Sequence, residues 1–173
     1  MAEIFTAHLK TPIGWLEVLA EADAILSVNF LEEPGEGRRP ATEPKAFPVV
    51  LKACLGQLEE YFRGERTSFD LPLRLAGTPF RERVWAALLR VPYGRTTTYG
   101  KLAAALGNAR AGRAVGGANH HNPVSIIVPC HRVVGSDGRL VGYGGGLWRK
   151  EWLLGHERAN VRRGGQSPDG GLR

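Results

Sequence analysis

The chain has only two cysteines in 173 residues, Cys54 and Cys130. That is too few for a disulfide scaffold, and there is no CxxC or other common zinc-ligand spacing. No apolar run approaches the roughly 20 residues that span a bilayer. The N-terminus lacks the basic and apolar regions of a signal peptide. A cytoplasmic protein with no membrane partner is expected. No segment repeats. Acidic residues are scarce in one half only: residues 76–173 hold 5 Asp/Glu against 15 Lys/Arg, whereas residues 1–75 hold 12 against 8. The second half, at +10, suits a polyanion partner, most simply nucleic acid.

What is there begins with a meander. "EIFTAHLKTPIGWLEVLAEADAILSVNFLEE" reads as three strands divided by turns at 11–14 and 22–23. Residues 32–48, rich in Pro, Gly and charge, read as a mobile loop. A helix follows with the stripe Val50, Leu51, Leu55, Leu58 and Phe62; Cys54 fits it as a small core residue. A domain boundary is expected near 76–78. Thr78 can cap a helix starting at Pro79, with Val84, Trp85, Leu88 and Leu89 on its buried face.

Two short helices, 99–106 and 109–119, joined at Gly107-Asn108, make a helix-turn-helix. The second is nearly devoid of bulk: Val115 stands among Gly112, Ala114, Gly116, Gly117 and Ala118. Each internal glycine costs about 0.8–1 kcal/mol against alanine. Close packing on a neighbouring helix would offset this, and so would close approach of a DNA groove, which the flanking Arg110 and Arg113 favour. "SIIVPCHRVV" reads as a buried strand. Gly142 to Gly146 form a loop free to approach a ligand. "LWRKEWLLGHE" is helical with Leu147, Trp152, Leu153 and Leu154 inward, and residues 159–173 read as a disordered tail.

The chemistry centres on "PCH". A free thiol has a pKa near 8.5 and needs a base or a positive field to act as nucleophile at neutral pH. His131 is adjacent, yet neighbours on a strand point to opposite faces, so contact needs a bend or a bridging water. An acid could orient the imidazole, and Asp137 and Glu157 are both candidates by spacing. An inert buried thiol fits the same residues. His120, His121, Cys130 and His131 do not follow a metal pattern. A papain-like hydrolase would draw its Cys and His from distant segments.

"TPFRERVWAALLRVPYG", "TTTYGKLAAALGNARAGRAVGGA", "NPVSIIVPCHRVV" and "GYGGGLWRKEWLLGHE" occur in one order and spacing. In this, residues 78–158 strongly resemble the O6-alkylguanine-DNA alkyltransferases, the methylated-DNA–protein-cysteine methyltransferases of the stand-alone type. Residues 1–75 resemble their N-terminal domain loosely.

The resemblance implies an α/β fold. A ribonuclease H-like meander plus helix (1–76) would scaffold a mainly helical domain (77–158) with a winged-helix-like helix-turn-helix. It implies suicidal, single-turnover repair of O6-alkylguanine flipped out of duplex DNA, bound through the minor groove, with no cofactor and no metal. It implies Cys130 as alkyl acceptor, His131 acting on it through water, Glu157 holding His131, and Asn122 buttressing the backbone. Tyr143 would donate to the leaving guanine. Arg113 would fill the space of the extruded base, and Tyr99 would press on a phosphate and line the pocket. The carbonyls of Cys130 and Val133 would receive the exocyclic amine, with Gly144 beside them. Asn108, Ser136 and Arg110 would touch DNA. A monomer is expected, with O4-alkylthymine as a possible second substrate and alkyl groups larger than methyl tolerated. Asn119 and His120 depart from the larger or more basic residues of some relatives. The rival readings are a lesion-binding protein that transfers nothing and a helix-turn-helix redox sensor.

Overall fold

The computed structural model describes residues 1–33 and 40–164 of the 173. The chain divides into two compact units. The first comprises Met1–Ala76 with Pro123–Ile127, and the second Gly77–Asn122 with Val128–Arg173.

In the first unit, β1 (Phe5–Thr11), β2 (Gly14–Ala20) and β3 (Ile25–Leu31) form an antiparallel sheet in the order β1-β2-β3. Thr11 sets the first hairpin: its hydroxyl donates to the Gly14 carbonyl at 2.7 Å and accepts from Ile13 N at 3.2 Å. Leu16 and Val18 of β2 and Ile25 and Val28 of β3 are fully buried. Helix α1 (Val49–Phe62) buries Val50, Leu51, Cys54, Leu58 and Tyr61. The expected stripe is rotated slightly. Leu55 and Phe62 are half-buried, and Cys54 and Tyr61 take the inner face.

The expected mobile loop is anchored in part, since Thr42 and Thr6 exchange bonds of 2.8 and 2.9 Å and Pro44–Ala46 form a 3-10 turn. Residues 34–39 lie outside the described residues. Segment 123–127 joins β3 through Val28 N to the Pro123 carbonyl and Ser125 N to the Val28 carbonyl, both 2.9 Å. Ile126 is there held at φ 72°, a left-handed conformation that is rare for a β-branched side chain.

In the second unit, Thr78 caps α2 (Pro79–Leu88) by accepting from Arg81 N at 3.3 Å. Val84, Trp85 and Leu88 are buried, but Leu89 is 48% exposed because the helix ends before it. The short strand β4 (Thr97–Thr98) leads into α3 (Tyr99–Ala105), which Thr98 caps through Lys101 N at 3.1 Å. Helix α4 is Gly112–His120, three residues later than expected at its start. Asn108 holds the preceding residues in a turn: Oδ1 accepts from Arg110 N at 3.1 Å, and its carbonyl accepts from Ala111 N at 3.0 Å. Trp85 Nε1 donates to the Ala118 carbonyl at 2.9 Å, fixing α4 on α2.

The stretch expected to be a strand is almost entirely turns. Cys130–Arg132 is a 3-10 turn, and only β5 (Val133–Val134) is extended, parallel to β4. Helix α5 (Leu147–Arg163) follows. Leu153 and Leu154 are buried as expected, Trp152 is half-buried, and Leu147 is 48% exposed. Residues 159–163 are therefore helical rather than tail, and 165–173 lie outside the described residues. No described helix is long and apolar enough to cross a membrane.

Candidate active site

The 3-10 turn resolves the Cys–His adjacency. After Pro129 the backbone curls, with Cys130 N donating to the Val128 carbonyl at 2.8 Å and Arg132 N to the Pro129 carbonyl at 3.0 Å. Neighbouring side chains are thereby freed from the opposite-face rule of a strand. Cys130 borders a cavity of about 470 Å³, while His131 is wholly buried.

Behind the thiol, His131 Nε2 lies 2.7 Å from Glu157 Oε1. Arg132 grips the same carboxylate through Nε at 3.0 Å and Nη2 at 2.9 Å, and Gly94 N donates to Oε2 at 3.2 Å. Arg132 Nη1 is spent on the Val91 carbonyl at 2.7 Å. Burial raises the pKa of Glu157, but His131 and Arg132 outweigh it and hold the carboxyl well below its ordinary range. Burial lowers the imidazole's pKa against the pull of Glu157. The result is a neutral ring beside a carboxylate. His131 Nδ1 has no hydrogen-bond partner among the described residues. Asp137, the other acid considered, lies exposed on the following turn and pairs with Arg139.

Asn122 donates from Nδ2 to the Val128 carbonyl at 2.8 Å and to Cys130 Sγ at 3.1 Å, so it touches both the turn and the nucleophile. Burial raises the Cys130 pKa, while Asn122 and the Lys150 ammonium lower it. Cys54 has no such helpers, and burial pushes its thiol up to about 12.

The cavity brings Tyr99, Arg113, Cys130, Tyr143 and Gly144 together with Gly112, Gly116, Asn119, His120, Val141 and Gly142. None of these is acidic. Tyr143 titrates well above an ordinary phenol because of burial and the nearby thiolate, so it keeps its proton. Tyr99 is raised for the same two reasons, and its hydroxyl donates to the Val141 carbonyl at 2.7 Å. Val133 is buried in β5 and does not line the cavity. Asn108, Arg110 and Ser136 are exposed outside it. Among the described residues no three of His, Cys, Asp and Glu gather as a metal site.

Two family models match, the "6-O-methylguanine DNA methyltransferase, DNA binding domain" over residues 79–159 and the "ribonuclease-like domain" of the same methyltransferase over residues 4–75. The chain belongs to the 6-O-methylguanine DNA methyltransferase family. It is 46% identical over 153 residues to the methylated-DNA–protein-cysteine methyltransferase of Mycobacterium tuberculosis, covering 88% of this chain and 92% of that one. The Methanosarcina acetivorans protein of the same name is 42% identical over 154 residues, with 87% and 96% covered. Among solved structures, Mycobacterium tuberculosis OGT in complex with DNA superposes with a TM-score of 0.79 at 44% identity, covering 91% of this chain and 93% of that one. The mixed α/β fold accords with these methyltransferases.

Reading the sequence missed Lys150 and Arg132, and Lys150 lies near the thiol. It is wholly buried, and Nζ donates to the carbonyls of Val141 and Gly142 at 3.0 and 3.1 Å. Burial lowers its pKa to about 8, against the opposing pull of the Cys130 thiolate. A signal was present: Lys150, Leu153, Leu154 and Glu157 fall at helical spacing, which puts a lysine on the apolar face of α5. Arg132 carries a similar hint, a charge placed inside an apolar run.

Proposed function

We propose that this protein repairs O6-alkylguanine in duplex DNA by moving the alkyl group to Cys130, once per molecule. The observation that carries the reading is Cys130 Sγ bordering an acid-free cavity, with Asn122 on the sulfur and the His131–Glu157 pair behind it. The target atom sits inside the duplex, so the nucleotide must be flipped into the cavity. The unit containing α3 and α4 binds the DNA, and residues 1–76 act as scaffold.

The thiol proton passes through a water to His131 Nδ1, and Glu157 steadies the imidazolium that forms. Cys130 Sγ attacks the alkyl carbon in line, the S–C bond forms, and the C–O6 bond breaks with its electron pair going to guanine. Tyr143 donates to the guanine as it leaves, and the relay returns the proton. The sum is alkylguanine plus thiol giving guanine plus thioether. No group in the site can cleave that thioether, so turnover ends there. Lys150 lowers the cost of the thiolate.

The minor groove is the docking surface we favour. A Cβ at Gly112, Gly116 or Gly117 would meet nothing nearer than 3.8 Å, so the chain's own packing does not require these glycines. Their smallness suits an approaching groove instead. Arg113 occupies the gap left by the flipped base in this reading, which its exposure on α4 and its position on the cavity lining support. Tyr99 presses on the flanking phosphate, and Asn108, Arg110 and Ser136 contact the backbone. The protein acts as a cytoplasmic monomer.

The test is peptide mass spectrometry after incubation with duplex DNA containing O6-methylguanine. One methyl on Cys130, none on Cys54, and restored guanine are expected. DNA binding with unmodified Cys130 would mean a lesion sensor.

A further inference from the structure

A second concave site shares no lining residue with the thiol cavity. It has a volume of about 290 Å³ and is lined by Gly94, Arg95 and Thr96 before β4 and by Leu154 and Arg158 of α5. Two arginines and a threonine are among its lining residues, and no acidic residue is. Arg158 Nε donates to the Leu154 carbonyl at 3.3 Å, which leaves its terminal amines for another acceptor. Among the described residues neither Arg95 nor Arg158 is in an ion pair.

The segment that carries Arg95 is fixed at both ends. Asn160 Nδ2 donates to the Tyr93 hydroxyl at 3.0 Å, and Gly94 N to Glu157 at 3.2 Å. Gly94 has φ 74°, and a Cβ there would stand 2.5 Å from Val161 Cγ2, so only glycine makes this turn against α5. Three residues on, Thr97 enters β4 against Val133. Arg95 and Thr96 thus start from a backbone tied to the helix that bears Arg158, which limits the ordering cost of binding.

We infer that Arg95, Thr96 and Arg158 form a phosphate-binding site separate from the alkyl-acceptor cavity. Guanidinium groups pair with phosphate in a fork geometry, and a hydroxyl can serve either as donor or as acceptor beside it. The ligand is a phosphate group, and the source the charge favours is a backbone phosphodiester of DNA. Arg95 is four residues before Tyr99, at most about 14 Å along an extended chain. A phosphate held here would add a contact beyond the lesion cavity, whose lining includes none of Arg95, Thr96 and Arg158. This source rests on the DNA-repair reading above; free phosphate does not.

The test compares the full-length wild type with Arg95→Ala/Arg158→Ala. Arg90→Ala, which removes an exposed charge from the end of α2 outside the cavity, serves as the charge control. Duplex affinity is measured from low to moderate salt. Each lost phosphate contact lowers the slope of log K against log salt by about 0.9. A decrease of roughly 1–2 in the double variant, with Arg90→Ala unchanged, supports a DNA phosphate. An unchanged slope, with inorganic phosphate raising the melting temperature of the wild type but not of the double variant, supports the site with free phosphate as its ligand. No change in either measurement overturns it. Methyl transfer to Cys130 is followed in parallel. Its failure in wild type would sink the repair reading, while the phosphate melting experiment would still judge the cavity.

Discussion

Glu157 Oε1 lies 2.7 Å from His131 Nε2, and both side chains are wholly shielded from solvent. Arg132 shares the carboxylate, so one acid satisfies two basic residues that neighbour the thiol in sequence. Removing one partner of a buried ion pair strands the other and costs about 3–5 kcal/mol. Glu157→Gln should therefore lower the melting temperature by roughly 6–20 °C, at about 2–4 °C per kcal/mol for a chain of this size. It should also slow single-turnover alkyl transfer. Calorimetry and rapid quench measure the two; an unshifted melting curve would remove Glu157 from this role.

The same network sets the response to acid. Folded Glu157 resists protonation, whereas the unfolded chain takes up that proton near pH 4.3. Folded His131 also holds its proton less well than the unfolded residue, which titrates near 6.5. In both cases the unfolded state binds more protons as pH falls. Stability should be full above about pH 6.5, decline below it as His131 contributes, and decline faster below about 4.3. In Glu157→Gln the second decline should be shallower. Denaturant unfolding from pH 7 to pH 3 checks this, and parallel curves would refute it.

Lys150 should matter most at and below neutral pH. Its ammonium lowers the pKa of Cys130 and is itself lost as pH rises through about 8. In Lys150→Met the rising limb of the transfer rate against pH should move to higher pH. The gap from wild type should be widest near and below pH 7 and narrow above pH 8, where the wild-type ammonium is itself lost. A uniform loss at every pH would mean that Lys150 only shapes the loop, through Val141 and Gly142.

The cavity of about 470 Å³ owes its room to Gly112, Gly116, Gly142 and Gly144, which put no side chain into it. Benzyl groups should transfer as well as methyl. A Cβ at Gly144 would meet the His120 carbonyl at 3.9 Å, an ordinary contact, so Gly144→Ala should keep both activities. Gly144→Leu should slow benzyl transfer at least tenfold more than methyl transfer, a discrimination of about 1.4 kcal/mol. Rates with the two lesions in one duplex sequence decide it; equal losses would place the extra volume elsewhere.

Much of this was legible in the sequence, and the failures share one cause. The meander, α1 and α2 follow from periodicity and from Thr11 and Thr78, whose side chains act on their own neighbourhoods. Residues 125–134 misled because a branched apolar run reads as a strand. Its backbone instead bends at Ile126 and curls after Pro129, held by Asn122 through a side-chain bond that no period encodes. Helix α4 starts late because Asn108 captures the preceding amides. Lys150 escaped because its length and charge suggest surface, whereas Val141 and Gly142 receive it inside. The motif residues around Cys130 were found by resemblance; spacing alone left Asp137 and Glu157 level.

The poverty of α4 has a consequence for the thermodynamics of association. Freezing a long side chain at an interface costs about 0.5–1.5 kcal/mol of rotamer entropy. Gly116 and Gly117 have no rotamers to lose, and Ala114 has none of consequence. Trp85 already holds the helix backbone through Ala118. A groove closing over the small-residue face of α4 would immobilise few side chains there, so the ordering cost of binding would fall on Arg113 and on the residues flanking the helix.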